Sequence, residues 1–257
     1  MQIDIASLLA PLQALLLPFF RILAFLQFCP VLENKVFSRR LKVVLALALA
    51  VMITPMLPGN VVLTAILSMD TLMLTGEQLL WGMLFGMILH LVFDALHTAG
   101  HIISMNMGLG MAVMNDPVNG ATTAIISQFF YAYCALLFFI MDGHLLMVSI
   151  LYKGFTWWPV GQVVFTPGLV QLVQGLGWML PAATLMALPA IFVLLIMQFG
   201  FGLLNRISPT LNLFSLGFPV SMLTGLVCVA VLVAHISDYY LRLTDDILAM
   251  LDALRKQ

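Results

Sequence analysis

Apolar stretches with hardly a charge in them recur from one end of this chain to the other. A helix that crosses a bilayer needs roughly 20 mostly apolar residues. Residues 8–29, 41–57, 79–96, 125–150, 178–204 and 213–236 meet or approach that length. Two further pieces, 61–69 and 163–173, are too short to cross, and Pro167 and Gly168 break the second. In lipid only a helix or a closed barrel satisfies its own backbone hydrogen bonds. The runs are continuous and rich in Leu, Met and Ala rather than alternating, which selects helix. The expected fold is therefore all-α: a polytopic membrane protein of six spans plus one or two re-entrant pieces. Proline inside several runs, such as Pro11, Pro18, Pro181 and Pro189, predicts kinked helices.

Composition closes off the soluble alternatives. Charged residues are 8% of the 257 and hydrophobic ones 63%, against about 25% and 45–50% in soluble domains. So few charges cannot cover the surface of a water-soluble fold. A net charge of −1 offers no field for nucleic acid. Cys29, Cys134 and Cys228 lie far apart in apolar runs, with neither disulfide nor zinc spacing, and read as buried small hydrophobes. Asp4 and the lack of a small-residue cleavage site make the first run a retained helix rather than a signal peptide. No linker or low-complexity segment divides the chain, which reads as one domain.

Charge placement suggests orientation. Lys35, Arg39, Arg40 and Lys42 cluster between the first two spans and put that loop in the cytoplasm. Residues 54–78 carry Asp70 and Glu77 without Lys or Arg, which suits the outer side. Arg206 and the C-terminal positive charges would both prefer the cytoplasm, although one hairpin separates them, so the rule conflicts with itself there. The tail, 238–257, places Tyr240, Leu243, Ile247, Met250, Leu251 and Leu254 on one helical face, an amphipathic helix for a membrane surface or a partner. Trp157 and Trp158 beside Pro159 read as an interfacial anchor.

Several polar groups invite a chemical reading. His90, Asp94, His97 and His101 share one helical face. Such a face can bind a metal or relay protons, or simply line a cavity, and Gly100 suggests that the helix ends near His101. No Glu or Cys completes a metal motif. Asp142 and His144 flank Gly143 and mark either a functional site or the end of a span. Arg21 inside the first run must snorkel or find a partner. There is no G-x-S-x-G, H-E-x-x-H or P-loop, so nothing marks an enzyme. Residues 105–117 are the most unusual stretch, with four Met, two Gly and no charge before Asp116. Pliable methionine and permissive glycine suit a deformable plug in a conduit, and also a Met-rich core helix or buried loop.

Three groups of residues carry a family likeness. The first is Arg21, then Cys29-Pro30-Val31 and Ser38-Arg39-Arg40-Leu41-Lys42. The second is Ala99-Gly100, Met107-Gly108-Leu109-Gly110 and Asp116-Pro117. The third, and most specific, is Leu203-Leu204-Asn205-Arg206 with Pro209, Leu211-Asn212, Gly217-Phe218-Pro219 and Gly225. Together they resemble the FliR family of bacterial flagellar export-gate subunits, over most of the chain. His97 and His101 depart from it, standing where Gln-like residues are expected, and residues 154–177 match nothing in it.

The resemblance implies a non-enzymatic subunit, without cofactor or metal, of a type III protein export gate in the bacterial inner membrane at the flagellar basal body. With FliP and FliQ it would form the channel for unfolded flagellar proteins, working beside FlhB and FlhA. It implies a FliP-like part over residues 1–177, a FliQ-like hairpin over 178–237 and an amphipathic tail over 238–257. It assigns a pore plug to Gly108, Leu109, Gly110, Met111, Ala112, Val113 and Met114. Arg21, Pro30, Asp116, Pro117, Arg206, Pro209, Asn212, Gly217, Pro219 and Gly225 would be structural motif positions. Two alternatives stay open: the equivalent subunit of a virulence injectisome, or a small-molecule transporter or intramembrane metal enzyme built on the His90 face.

Overall fold

A computed structural model describes residues 5–33, 37–57, 68–109, 124–160, 166–207 and 213–254. These residues form helices α1 (Ile5–Phe28), α2 (Pro30–Glu33), α3 (Arg39–Ile53), α4 (Met69–Asn106), α5 (Ile125–Ile140), α6 (Gly143–Trp157), α7 (Thr166–Ile207), α8 (Leu213–Val233) and α9 (Ile236–Leu254). A 3-10 turn, Thr54–Met56, follows α3. No strand occurs among the described residues. The all-α polytopic membrane architecture holds, and it follows from chemistry: apolar runs in lipid close their hydrogen bonds internally.

The described residues carry part of the expected span count. Among the described residues, Met69–Asn106 and Val173–Ile207 are each long and apolar enough to cross a membrane. Ile125–Ile140 with Gly143–Trp157, and Gly217–Val233 with Ile236–Asp252, qualify as broken pairs, so two to four of the six expected spans are met among the described residues, beside the 24-residue apolar helix α1. Helix α3 has only 15 residues and starts on Arg39, Arg40 and Lys42. Helices α4 and α7 err the other way. At 38 and 42 residues and 1.5 Å per residue they are about 57 and 63 Å long, well beyond the roughly 30 Å hydrocarbon layer.

Several boundaries differ from expectation. The piece at 163–173 falls partly outside the described residues, and from Thr166 it is the start of α7. Pro181 and Pro189 lie inside that helix without ending it. The 125–150 run breaks at Asp142, which has φ 56° and caps α6, with its side chain and that of His144 exposed. That is the end-of-element reading of these two residues. The tail's apolar face is spent within the chain itself: Ile236, Tyr240, Leu243, Ile247 and Leu251 are buried.

The described residues divide into two compact units. The first comprises Met1–His90, Met141–Gly175 and Ala249–Gln257; the second comprises Leu91–Ile140 and Leu176–Leu248. In the first, α1 packs on α3 and crosses α4 closely at Gly82 and Gly86. A Cβ on Gly82 would strike the Arg21 carbonyl oxygen and stand 2.8 Å from Ala24 Cβ, and one on Gly86 would stand 2.8 Å from Phe28 Cβ. This is the small-xxx-small spacing by which apolar helices approach. In the second unit, the buried stripe Ala183, Met186, Ala187, Ala190 and Leu194 forms the inner face of α7. Helix α5 meets α4 through Phe93, whose ring lies 5.6 Å from Tyr131 and 6.0 Å from Phe138. Helices α8 and α9 bend by 60° at their junction.

Candidate functional site

The four C-terminal carbonyls of a helix lack intrahelical partners and must be met otherwise. At the end of α4 this need is met by residues far apart in sequence. Gly108 sits at φ +82°, a conformation that favours glycine. Its N–H donates to the Met105 carbonyl at 3.1 Å, while the Leu109 N–H donates to the Ser104 carbonyl at 3.2 Å. These two bonds make a Schellman closure with Gly108 as its left-handed residue. The next two carbonyls are taken by other helices of the same unit. Gln198 Nε2 on α7 donates to the Asn106 carbonyl at 2.9 Å, and the Ser221 hydroxyl on α8 shares its one proton between the Met107 carbonyl at 3.3 Å and its own helix's Phe218 carbonyl at 2.9 Å.

Packing reinforces this closure. Met107 is fully buried, and its thioether lies against Gly225, where an added Cβ would stand 2.6 Å from Sδ and 2.8 Å from Cε. The Phe218 ring covers Gly108, 3.2 Å from where a Cβ would stand. The structure thus joins the second and third groups of motif residues: Met107 and Gly108 sit directly on Phe218, Ser221 and Gly225. Gly108 and Leu109 belong to this closed helix end. Gly110, Met111, Ala112, Val113 and Met114 lie outside the described residues, as do Asp116, Pro117, Pro209 and Asn212. Arg206 is exposed in the last turn of α7, where a cation complements the helix dipole. Gly217 has open space around it, and Pro219 is exposed inside α8.

A second polar joint lies in the first unit. Arg21 is completely buried, so it does not snorkel, and its Nη1 finds partners within the chain while its Nε and Nη2 meet no acceptor among the described residues. Its Nη1 donates to the Trp158 carbonyl at 2.9 Å and the Gly154 carbonyl at 3.2 Å, closing the end of α6. The guanidinium lies 4.4 Å over the Phe155 ring, and Glu77 supplies nearby opposite charge. Trp158 is no interfacial anchor: it is buried and stacks on Trp81 at 5.1 Å. Trp157, half-buried, faces the Lys153 ammonium at 5.6 Å. Pro30 is buried at the first position of α2, where its missing N–H costs nothing.

Helix α4 does carry His90, Asp94, His97 and His101 in one continuous stretch, and it runs on to Asn106 rather than stopping at His101. Gly100 is there for contact: a Cβ would stand 2.8 Å from Ser127 Cα. The first three are half-buried and His101 is exposed; His97 meets the Tyr131 ring edge-on at 6.2 Å. Among the described residues no group of three or more His, Cys, Asp or Glu side chains could hold a metal ion. The sequence reading passed over Gln198 and Ser221. Nothing local marks them, since each acts on a carbonyl roughly a hundred positions away. It also passed over Gly82 and Gly86, whose four-residue spacing was a usable signal.

Comparison with known proteins gives a consistent result. The family described as bacterial export proteins, family 1, matches residues 12–247. A flagellar biosynthetic protein FliR from Pectobacterium carotovorum is 31% identical over 235 residues, spanning 91% of this chain and 89% of that protein. The Escherichia coli K12 protein of the same name has the same identity and coverage. Yop proteins translocation protein T of Yersinia pestis is 26% identical over 195 residues, 72% of this chain and 74% of its own.

Proposed function

Because the chain belongs to family 1 of the bacterial export proteins, we propose that it is a subunit of the flagellar type III export gate in the inner membrane. On this reading it assembles with FliP and FliQ into the channel for unfolded flagellar proteins, beside FlhB and FlhA, and does no covalent chemistry itself. The carrying observation is the match to FliR proteins at 31% identity over 91% of the chain. Residues 1–177 act as the FliP-like part, 178–237 as the FliQ-like hairpin and 238–257 as the tail. Residues 108–114 contribute a plug to the closed pore, for which a firm base is the first requirement. The closed end of α4, held by Gln198 and Ser221 and seated on Gly225, supports that role because it fixes where the segment begins.

Deleting the gene abolishes flagella and swimming on this reading; a swimming, flagellated null strain refutes it. Deleting residues 108–114 from an assembled gate raises ion leak across the membrane, and unchanged leak removes the plug assignment. The likeness to Yop proteins translocation protein T keeps an injectisome subunit as the second reading. A null strain that swims but no longer secretes virulence proteins would select it. The lower identity and shorter coverage of that match favour the flagellar reading.

A further inference from the structure

Within the first unit, α1, α3 and α4 enclose a groove of about 400 Å³. Its lining is mostly apolar, with Leu23, Phe28, Val43, Leu79, Leu80 and Met83, and it also includes Arg39, Lys42 and Gln27. Lys42 is the telling residue. It is only 5% exposed, yet among the described residues its ammonium has one acceptor, the neutral Gln27 Oε1 at 3.4 Å. An ammonium has three donors, and a cation withdrawn from water calls for an opposite charge. Arg39 adds a second positive charge at the first turn of α3, where backbone N–H groups also favour an anion.

We propose that this groove binds an anionic phospholipid, its phosphate against Arg39 and Lys42 and an acyl chain along Leu23, Phe28, Leu79, Leu80 and Met83. Charge complementarity decides the occupant: an apolar trough lined also by two cations matches a molecule with an apolar tail and an anionic head. The positive-inside bias of this segment puts the cations at the cytoplasmic leaflet, where anionic lipid is concentrated. Basic pockets between membrane helices on that side bind such head groups. The proposal requires residence in a membrane but not the export-gate reading, since lipid binding is measured without export.

The test uses the full-length chain extracted in mild detergent with whatever subunits remain attached. Native mass spectrometry then counts adducts of added phosphatidylglycerol and phosphatidylcholine. Phosphatidylglycerol is expected to be retained preferentially. The double variant Arg39→Gln/Lys42→Gln lowers that retention by roughly thirtyfold, towards the phosphatidylcholine level. Arg40→Gln, an exposed charge that does not line the groove, leaves it unchanged. Leu80→Trp, which fills the trough without altering charge, lowers retention of both lipids and keeps the proposal testable should the double variant fail to fold. Equal retention of the two lipids, or indifference to both groove variants, overturns the proposal. So does crosslinking of Leu80→Cys to another subunit's helix in the membrane, because a protein would then occupy the trough.

Discussion

The two units each close a helix end with groups from distant sequence, and they do so with opposite chemistries. In the first unit a fully buried guanidinium serves both the Gly154 and Trp158 carbonyls under the Phe155 ring. Nearby, α1 and α4 touch at glycines where the obstacle to a larger residue is main chain. In the second unit the closing groups are a glycine turn, an amide and a hydroxyl, and the close contact at Gly225 is with a methionine side chain. Main chain cannot give way, whereas an unbranched thioether can re-rotamer. The first joint is built to stay shut. The second is built from parts that separate without stranding a charge.

The sharpest way to break this contrast is Arg21→Met. It leaves the buried Trp158 carbonyl unmet, the Gly154 carbonyl with the Trp158 N–H as its remaining donor and Glu77 without its positive neighbour, and should lower stability by about 3 kcal/mol, read as denaturation of the detergent-extracted protein. A variant as stable as the parent would show that packing alone holds the first joint. Gly82→Ala comes next, at about 2 kcal/mol, because the new methyl meets the Arg21 carbonyl and Ala24. Gly76→Ala on the same helix is its control, with nothing within 4 Å of the added Cβ. Gly108→Ala should cost about 1 kcal/mol for a side chain held in the left-handed region. If residues 108–114 are the plug, it should also raise ion leak in the assembled gate. Gly225→Ala should cost no more, about 1 kcal/mol, since the new methyl meets the buried Met107 side chain from Cγ to Cε rather than main chain, and alanine favours the helix. A cost for Gly225→Ala equal to that of Gly82→Ala would erase the distinction between main-chain and side-chain obstacles.

The helices were legible because lipid leaves the backbone no other choice, and the apolar runs announce them. The break at Asp142 was legible too, as polar residues around a glycine inside such a run. Span number was less so, because apolar length does not fix where a helix enters and leaves a bilayer, and α4 and α7 are each longer than the hydrocarbon layer is thick. Glycine was the most ambiguous letter. Gly100 looked like a helix end and is a helix contact, whereas Gly108 is a true end; only the neighbours Ser127 and Phe218 tell them apart. Arg21 was recognisable as a residue needing a partner. The partner's identity lay 133 and 137 positions away in carbonyls that any sequence would have supplied.

One pair of neighbours at the end of α4 has a use beyond architecture. Met105 is 54% exposed and Met107 fully buried, so the two thioethers sit two residues apart on opposite sides of a barrier to peroxide. Sulfoxidation adds a polar oxygen to a flexible apolar side chain, and beside Gly225 there is no space for one. Met105 therefore oxidises on contact with the reagent and serves as an internal clock. A sulfoxide on Met107 would then report a parting of this joint, read against Met105 in the same chain.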